Sequence, residues 1–108
     1  EPVFVTIGSG RQLARLYNNR GRTQQALGQP DNAAASFEVS LHWGRITGAT
    51  YEIANTLDSL ATLHLEQGQY TLAQATWGEA QNELHTLHAP SAHLESRIQQ
   101  GLRAAVQT

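Results

Sequence analysis

The sequence predicts an all-α fold, an α-α superhelix (solenoid) of two helical hairpins followed by a C-terminal single helix. Three observations support this fold class. Apolar residues recur at three- and four-residue steps in five segments, and glycine or proline turns separate these segments. Leu and Ala are the most abundant apolar residues, at 13 and 15 copies, and both favour helices. The segments also repeat at an interval of 40 residues, which is typical of solenoid arrays.

The first hairpin is predicted over residues 9–48. Ser9 is placed to cap its first helix, and Gly28 is placed to end it. A proline turn follows, after which Asp31 or Asn32 is expected to cap the second helix. Two helices joined by so short a turn form an antiparallel pair.

The second hairpin is predicted over residues 50–88, with Thr50 as the first cap and Gly68 at the turn. Ser91 is then expected to cap the last helix, over residues 91–106. Together these elements form one domain, residues 9–108, in a chain with no room for a second domain.

An offset of 40 residues aligns the two hairpins. The paired residues are mostly glycines, alanines and rings, the types that close helix packing requires: Gly28 with Gly68, Ala33 with Ala73, Phe37 with Trp77, and Gly21 with Ala61 and Gly101. We expect Gly21 and Ala61 to face Ala33 and Ala73 across their hairpins. The two rings are expected to fill the space between one hairpin and the next.

These residues resemble the tetratricopeptide repeat family, whose loose pattern sets Leu-Gly or Leu-Ala and alanines among aromatic residues around a turn glycine. The second hairpin matches well, and the first is degenerate. The matching positions are Tyr17, Gly21, Gly28, Ala33 and Phe37, then Leu60, Ala61, Gly68, Tyr70, Ala73, Trp77 and Ala80. Arg20, Gln24 and His64 depart from the pattern. The long period is similar to that of kinesin light chains and of bacterial signalling ATPases of the STAND class.

The resemblance implies a groove lined by the first helix of each hairpin, which would bind a protein or peptide. Helical periodicity assigns the following solvent-facing residues to it: Arg15, Asn18, Asn19, Arg22, Gln25, Asn55, Asp58, Ser59, Thr62, Glu66, Glu95, Ile98, Gln99 and Leu102. A solvated helix face without function is the alternative for each. Arginines on the first helix and carboxylates on the third predict a groove that is positive at one end and negative at the other. A groove that binds a carboxylate needs cations on successive helices. Only Arg22 is placed to provide one, so a carboxylate-binding groove is not expected.

We therefore predict a non-catalytic interaction or scaffold module, part of a larger regulatory protein. A second hypothesis is an effector-sensing segment of a bacterial signal-transduction ATPase. A third is a metal site formed by His85, His88 and His93, although no HExxH arrangement accompanies them. The sequence has no nucleophile elbow and no phosphate-binding glycine loop, so it predicts neither a catalytic residue nor a cofactor.

Charge and composition disfavour several partners. The net charge is −2 and the chain has no lysine, which disfavours nucleic acid and anionic membranes. The absence of cysteine excludes disulfides and thiolate metal sites. Residues 1–8 form a β-favouring run too short to make a sheet alone, and they lack the basic region and the apolar residues of a signal peptide or a membrane span. We interpret them as a tail or as the end of a preceding element, with a functional edge strand as the alternative. A cytoplasmic location is the expectation, and the chain reads as a piece of a longer protein.

The last predicted helix carries one apolar stripe, formed by Leu94, Ile98, Leu102 and Ala105 or Val106. No further predicted helix covers this stripe. Either the helix docks inward as a cap, or the stripe allows self-association through the C-terminal helix.

Overall fold

The computed structural model describes residues 7–87 and 91–106, and over these residues the chain is all-α with no strand. Its five helices are α1 (Ile7–Ala26), α2 (Pro30–Thr47), α3 (Thr50–Glu66), α4 (Tyr70–His85) and α5 (Ala92–Ala105). Most of the predicted tail, residues 1–6, lies outside the described residues. The rest of it belongs to α1, so α1 begins two residues before Ser9. The prediction that Ser9 is its N-cap is therefore wrong.

The two hairpin turns have the same geometry. Gly28 and Gly68 adopt left-handed φ angles of 75° and 76°, which side chains disfavour. After each glycine, the next residue donates its backbone N–H to a carbonyl five residues earlier at 2.9 Å, from Gln29 to Gln24 and from Gln69 to His64. This Schellman-type bond satisfies a carbonyl that would otherwise have no partner at the helix end.

Two more of the predicted N-caps are wrong. Pro30 is the first residue of α2, so Gln29 is the N-cap and neither Asp31 nor Asn32 can cap the helix. The fixed φ of proline suits the first helical position, which explains the earlier start. Thr50 is likewise inside α3, after Ala49. The prediction for α5 is confirmed, because the Leu94 amide donates to Ser91 Oγ at 3.2 Å.

The helices form two layers. Each helix contacts the next one along the chain, and α3 also contacts α1 and α5. Within the described residues α2 and α4 do not contact each other. Helices α1, α3 and α5 therefore make one layer, α2 and α4 make the other, and the molecule measures only 18 Å along its shortest axis. Helix α3 lies at the centre and contacts all four others.

A glycine packs against each of the two rings that the repeat pairs, Phe37 and Trp77. A Cβ atom at Gly21 would overlap the ring of Phe37, and one at Gly101 would overlap the ring of Trp77. Trp77 thus lies between the second hairpin and α5, as predicted, whereas Phe37 lies over Gly21 of its own hairpin. Gly21 therefore packs against the helix that follows its own, α2, whereas Gly101 packs against the helix that precedes its own, α4.

The residues of the repeat signature differ in burial. The alanines are fully buried, with Ala33, Ala61, Ala73 and Ala80 all at 0% exposure. Tyr70, by contrast, is 41% exposed at the start of α4. The small residues thus set the distance between helices, while Tyr70 contributes less to the core.

Helix α5 docks inward. Leu94 and Ile98 are 0% and 1% exposed, and Ala105 is buried with them. Of the two alternatives at the end of the stripe, Val106 is the exposed one, at 65%. Most of the predicted stripe therefore covers the second hairpin and is not a free surface.

Candidate functional site

One cleft collects polar side chains from α1, α3 and α5. Its volume is about 350 Å³. All seven lining residues are polar or charged: Arg22, Gln25, Asp58, Ser59, Thr62, His93 and Arg97. They come from segments up to 75 residues apart in sequence, and the layer formed by α1, α3 and α5 brings them together.

Side-chain contacts tie α1 to α3 along the cleft. Among the described residues there are three: Arg15 Nη2 to Glu52 Oε2 at 3.4 Å, Asn18 Nδ2 to Thr56 Oγ1 at 2.7 Å, and Gln25 Nε2 to Glu66 Oε1 at 2.8 Å. The Asn18 contact is buried and the Gln25 contact is exposed. Hydroxyl groups extend the buried contact into α2, because Ser40 Oγ lies 2.8 Å from Thr56 Oγ1.

Asp58 ties α3 to both α4 and α5. Its Oδ1 accepts a hydrogen bond from Trp77 Nε1 at 2.8 Å. Its Oδ2 accepts from Arg97 Nε at 3.1 Å and forms a second, shorter contact with Nη2. Arg97 Nη2 also donates to Asn55 Oδ1 at 3.2 Å. A buried carboxylate is stable only when it is paired and hydrogen-bonded, and both oxygens of Asp58 meet that condition.

The prediction that all the groove residues face solvent is wrong for four of them. Asn18, Asp58, Ser59 and Ile98 are 2%, 5%, 6% and 1% exposed. Periodicity identifies the polar face of an isolated helix, but neighbouring helices cover part of that face here. Of the remaining predicted residues, Arg15, Asn19, Arg22, Glu66 and Gln99 are exposed, and Gln25, Asn55, Thr62, Glu95 and Leu102 are half-buried.

Ion pairs compensate part of the charge that the sequence predicts along the groove. Glu52 neutralises Arg15, and Arg97 neutralises Asp58. Arg22 is exposed and has no ion pair within the described part of the chain. In the cleft, Arg22 can therefore donate hydrogen bonds, whereas the charges of Asp58 and Arg97 compensate each other.

The cleft also contains hydrogen-bond acceptors. Ser59 Oγ donates to the Asn55 carbonyl at 3.2 Å, and Thr62 Oγ1 donates to the Asp58 carbonyl at 3.0 Å. Because each hydroxyl proton is used within α3, the oxygen lone pairs remain to accept. Arg22 donors and hydroxyl acceptors thus lie side by side.

Sequence reasoning missed the roles of Arg97 and His93. Arg97 was missed because α5 does not keep the 40-residue register of the earlier helices. Asn18 pairs with Thr56, and the equivalent pair one repeat later is Asp58 with Arg97. Arg97 lies 41 residues after Thr56, one more than the repeat interval. A comparison at exactly 40 residues therefore places α5 one residue out of register.

Two of the three histidines of the metal hypothesis lie within the described residues. His93 lines the cleft, and His85 is exposed at the end of α4. His88 lies outside the described residues, so the trio as a whole stays a prediction. Within residues 7–87 and 91–106, no three His, Asp or Glu side chains are grouped as a metal site requires.

Comparisons with protein-family models, with curated proteins and with solved structures gave no match for this chain. In the part of the chain that the structure describes, no helix has the length and apolar character needed to cross a membrane. The geometry of the cleft is therefore the basis for assigning a function.

Proposed function

We propose that this chain is a non-catalytic protein-interaction module, a short solenoid of tetratricopeptide type, which binds an extended peptide segment in the cleft between α1, α3 and α5. The observation that carries the proposal is the convergence of polar side chains from these three helices on one cleft. The two equivalent glycine turns and the two-layer order of the helices support the solenoid part of the proposal.

The polarity of the cleft favours a peptide over a small effector. Pockets for small molecules are predominantly apolar, with only a few polar groups, whereas every residue lining this cleft is polar or charged. An extended peptide presents alternating N–H and C=O groups. Ser59 and Thr62 can accept from its amides, and Arg22 can donate to its carbonyls or to an acidic side chain.

Arg22→Glu tests this proposal, because it reverses the exposed charge of the cleft and leaves the contacts between helices intact. Peptides selected from a random displayed library are titrated against the purified protein, and their affinity is measured by fluorescence anisotropy. We expect Arg22→Glu to weaken binding at least about tenfold, equivalent to about 1.4 kcal/mol.

Arg103→Glu is the matched control, since it makes the same charge change at an exposed position of α5 that does not line the cleft. Equal affinities for the wild type and Arg22→Glu would refute the proposal. Equal losses in both variants would show only general charge attraction and would refute it as well. Asp58 is unsuitable as a probe, because its substitution would also destabilise the fold.

A further inference from the structure

Each hairpin buries a polar cluster where it packs against the next helix along the chain. The first cluster joins α1, α2 and α3. In this cluster Asn18 Nδ2 donates to Thr56 Oγ1 at 2.7 Å. Ser40 Oγ donates to the Ala14 carbonyl at 2.6 Å. Because Ser40 uses its only hydroxyl proton there, Thr56 is the donor in the 2.8 Å contact between the two hydroxyls. The three side chains are at most 2% exposed.

A second cluster joins α3, α4 and α5. It is centred on Asp58, which lies one 40-residue period after Asn18. The carboxylate accepts from the indole of Trp77 and from the guanidinium of Arg97. The two clusters thus occupy equivalent places, between a hairpin and the helix that follows it. The first cluster is neutral and consists of an amide and two hydroxyls, whereas the second is an ion pair with an indole.

The partners in one cluster have no counterparts in the other. Phe37 lies 40 residues before Trp77 and has no N–H group, so a carboxylate in place of Asn18 would lack the indole donor. Ala80 lies 40 residues after Ser40 and has no hydroxyl group, so the hydroxyl chain of the first cluster cannot form in the second. Each hairpin therefore suits only its own type of polar partner.

The apolar residues of the two hairpins, by contrast, are nearly the same. The 40-residue offset pairs Ala14 with Ala54 and Ala33 with Ala73, and all four are 0% exposed. Apolar packing is non-directional, and cores tolerate the exchange of apolar residues of similar volume. These alanines therefore discriminate poorly between α3 and α5 as the helix that packs on a given hairpin.

We propose that the two buried clusters determine which helix packs on which hairpin. If α5 packed on the first hairpin, Arg97 would meet Asn18 and would have no carboxylate. If the α3 of another molecule packed on the second hairpin, Asp58 would meet Thr56 and would have no cation. Each wrong pairing leaves a buried or half-buried charge without its partner, which is unfavourable. The clusters thus specify one order of stacking, and this role does not depend on what the cleft binds.

The main test removes the first cluster as a whole. The triple variant Asn18→Leu, Ser40→Ala and Thr56→Val replaces it with apolar groups of similar size. The Ala14 carbonyl keeps its backbone bond inside α1, so it is not left without a donor. Exchanging all members of a polar cluster for apolar groups is often neutral or stabilising. We therefore expect wild-type helicity by circular dichroism and a urea midpoint no lower than that of the wild type.

The proposal predicts that pairing becomes ambiguous in this triple variant, because its first hairpin no longer distinguishes α3 from α5 or from a helix of another molecule. We expect more than one set of amide cross-peaks in its NMR spectrum. We also expect sedimentation equilibrium to show an association that the wild type does not show at the same concentration.

A matched triple variant controls for the type of substitution. Asn19→Leu, Ser59→Ala and Thr62→Val make the same three changes outside the cluster. Among the described residues, the hydroxyls of Ser59 and Thr62 bond only to carbonyls of their own helix. Asn19 is exposed on α1. This control should keep a single set of cross-peaks and the oligomeric state of the wild type.

The single variant Thr56→Val tests why a wrong partner is rejected. It presents the Asn18 amide with a helix that lacks the matching hydroxyl, and the amide stays buried. A buried donor without an acceptor is costly, so we expect the folding equilibrium constant to fall at least about fivefold. The triple variant, which has no amide at this position, should not show this loss.

Four results would overturn the proposal. The first is a single set of cross-peaks and the wild-type oligomeric state in the cluster variant. The second is lost helicity or a lower urea midpoint in that variant, which would show that the cluster supplies stability and not pairing. The third is the same ambiguity in the matched control, which would be an effect of added apolar surface. The fourth is a Thr56→Val variant as stable as the wild type.

Discussion

Replacing Asp58 with alanine removes the carboxylate that joins α3 to α4 and α5. The substitution takes the acceptor from the indole N–H of Trp77, a residue that is 2% exposed, and from the guanidinium of Arg97. We expect the chain to lose stability and α5 to loosen, since Asp58 provides its main polar attachment to the second hairpin.

The magnitude follows from the burial of each partner. A buried donor that loses its acceptor costs about 1–3 kcal/mol, and Trp77 is such a donor. The Arg97 side chain is 32% exposed, so water can solvate it after the change. Its lost ion pair therefore adds only about 1 kcal/mol. The total, about 2–4 kcal/mol, is a large part of the roughly 5–15 kcal/mol by which domains of this size are stable.

Urea unfolding followed by circular dichroism measures the free energy of unfolding. Fluorescence of Trp77, in a Trp43→Phe background, reports separately on α5, because the ring lies against Gly101. Glu66→Ala is the matched control, since its carboxylate accepts only an exposed hydrogen bond from Gln25. It should change stability by less than about 0.5 kcal/mol.

Two results would refute this reasoning. One is a loss for Asp58→Ala no larger than that for Glu66→Ala. The other is strict additivity of Asp58→Ala and Arg97→Ala, because groups in direct contact should show a coupling of at least about 0.5 kcal/mol.

Three further predictions concern α5 and its neighbour α4. Gly101→Ala should destabilise the chain by about 1–3 kcal/mol, because the new methyl group overlaps the Trp77 ring. A Cβ atom at Gly78 in α4 would meet open space, so Gly78→Ala should stabilise the chain by about 0.5–1 kcal/mol. The melting temperatures of Gly101→Ala and Gly78→Ala should therefore shift in opposite directions, and shifts of the same sign would contradict this account. Ser91→Ala should cost about 1 kcal/mol and speed amide exchange in the first turn of α5; unchanged exchange would contradict the capping role.

Local sequence signals were enough to predict the helices and their turns. Gly28 and Gly68 mark the two hairpin turns, because a left-handed φ is a property of one residue and its immediate neighbours. The same local reasoning failed at α2, where Asn32 is a good cap in general but Pro30 already begins the helix. Positions that depend on a single turn are thus predictable to within one or two residues.

Burial of the polar residues could not be predicted in the same way. Helical periodicity describes each helix alone, and on that basis Asp58 is a solvent-facing residue. Its burial depends on Arg97 and Trp77, which lie 39 and 19 residues further along the chain. The one-residue shift in register before α5 hides this pairing from a comparison at a fixed 40-residue offset. Only the packed arrangement of three helices shows that Asp58 has a structural role.

The contacts that hold the first layer together also determine the shape of the cleft. Gln25 and Asp58 line the cleft, and the same side chains link α1 to α3 and α3 to α5. A substitution at either residue therefore changes the spacing of the helices as well as the binding surface. Arg22 is different, because it lines the cleft without bridging helices within the described residues. Loss of binding at unchanged stability in Arg22→Glu would thus be direct evidence for recognition, whereas the same loss in an Asp58 variant would not.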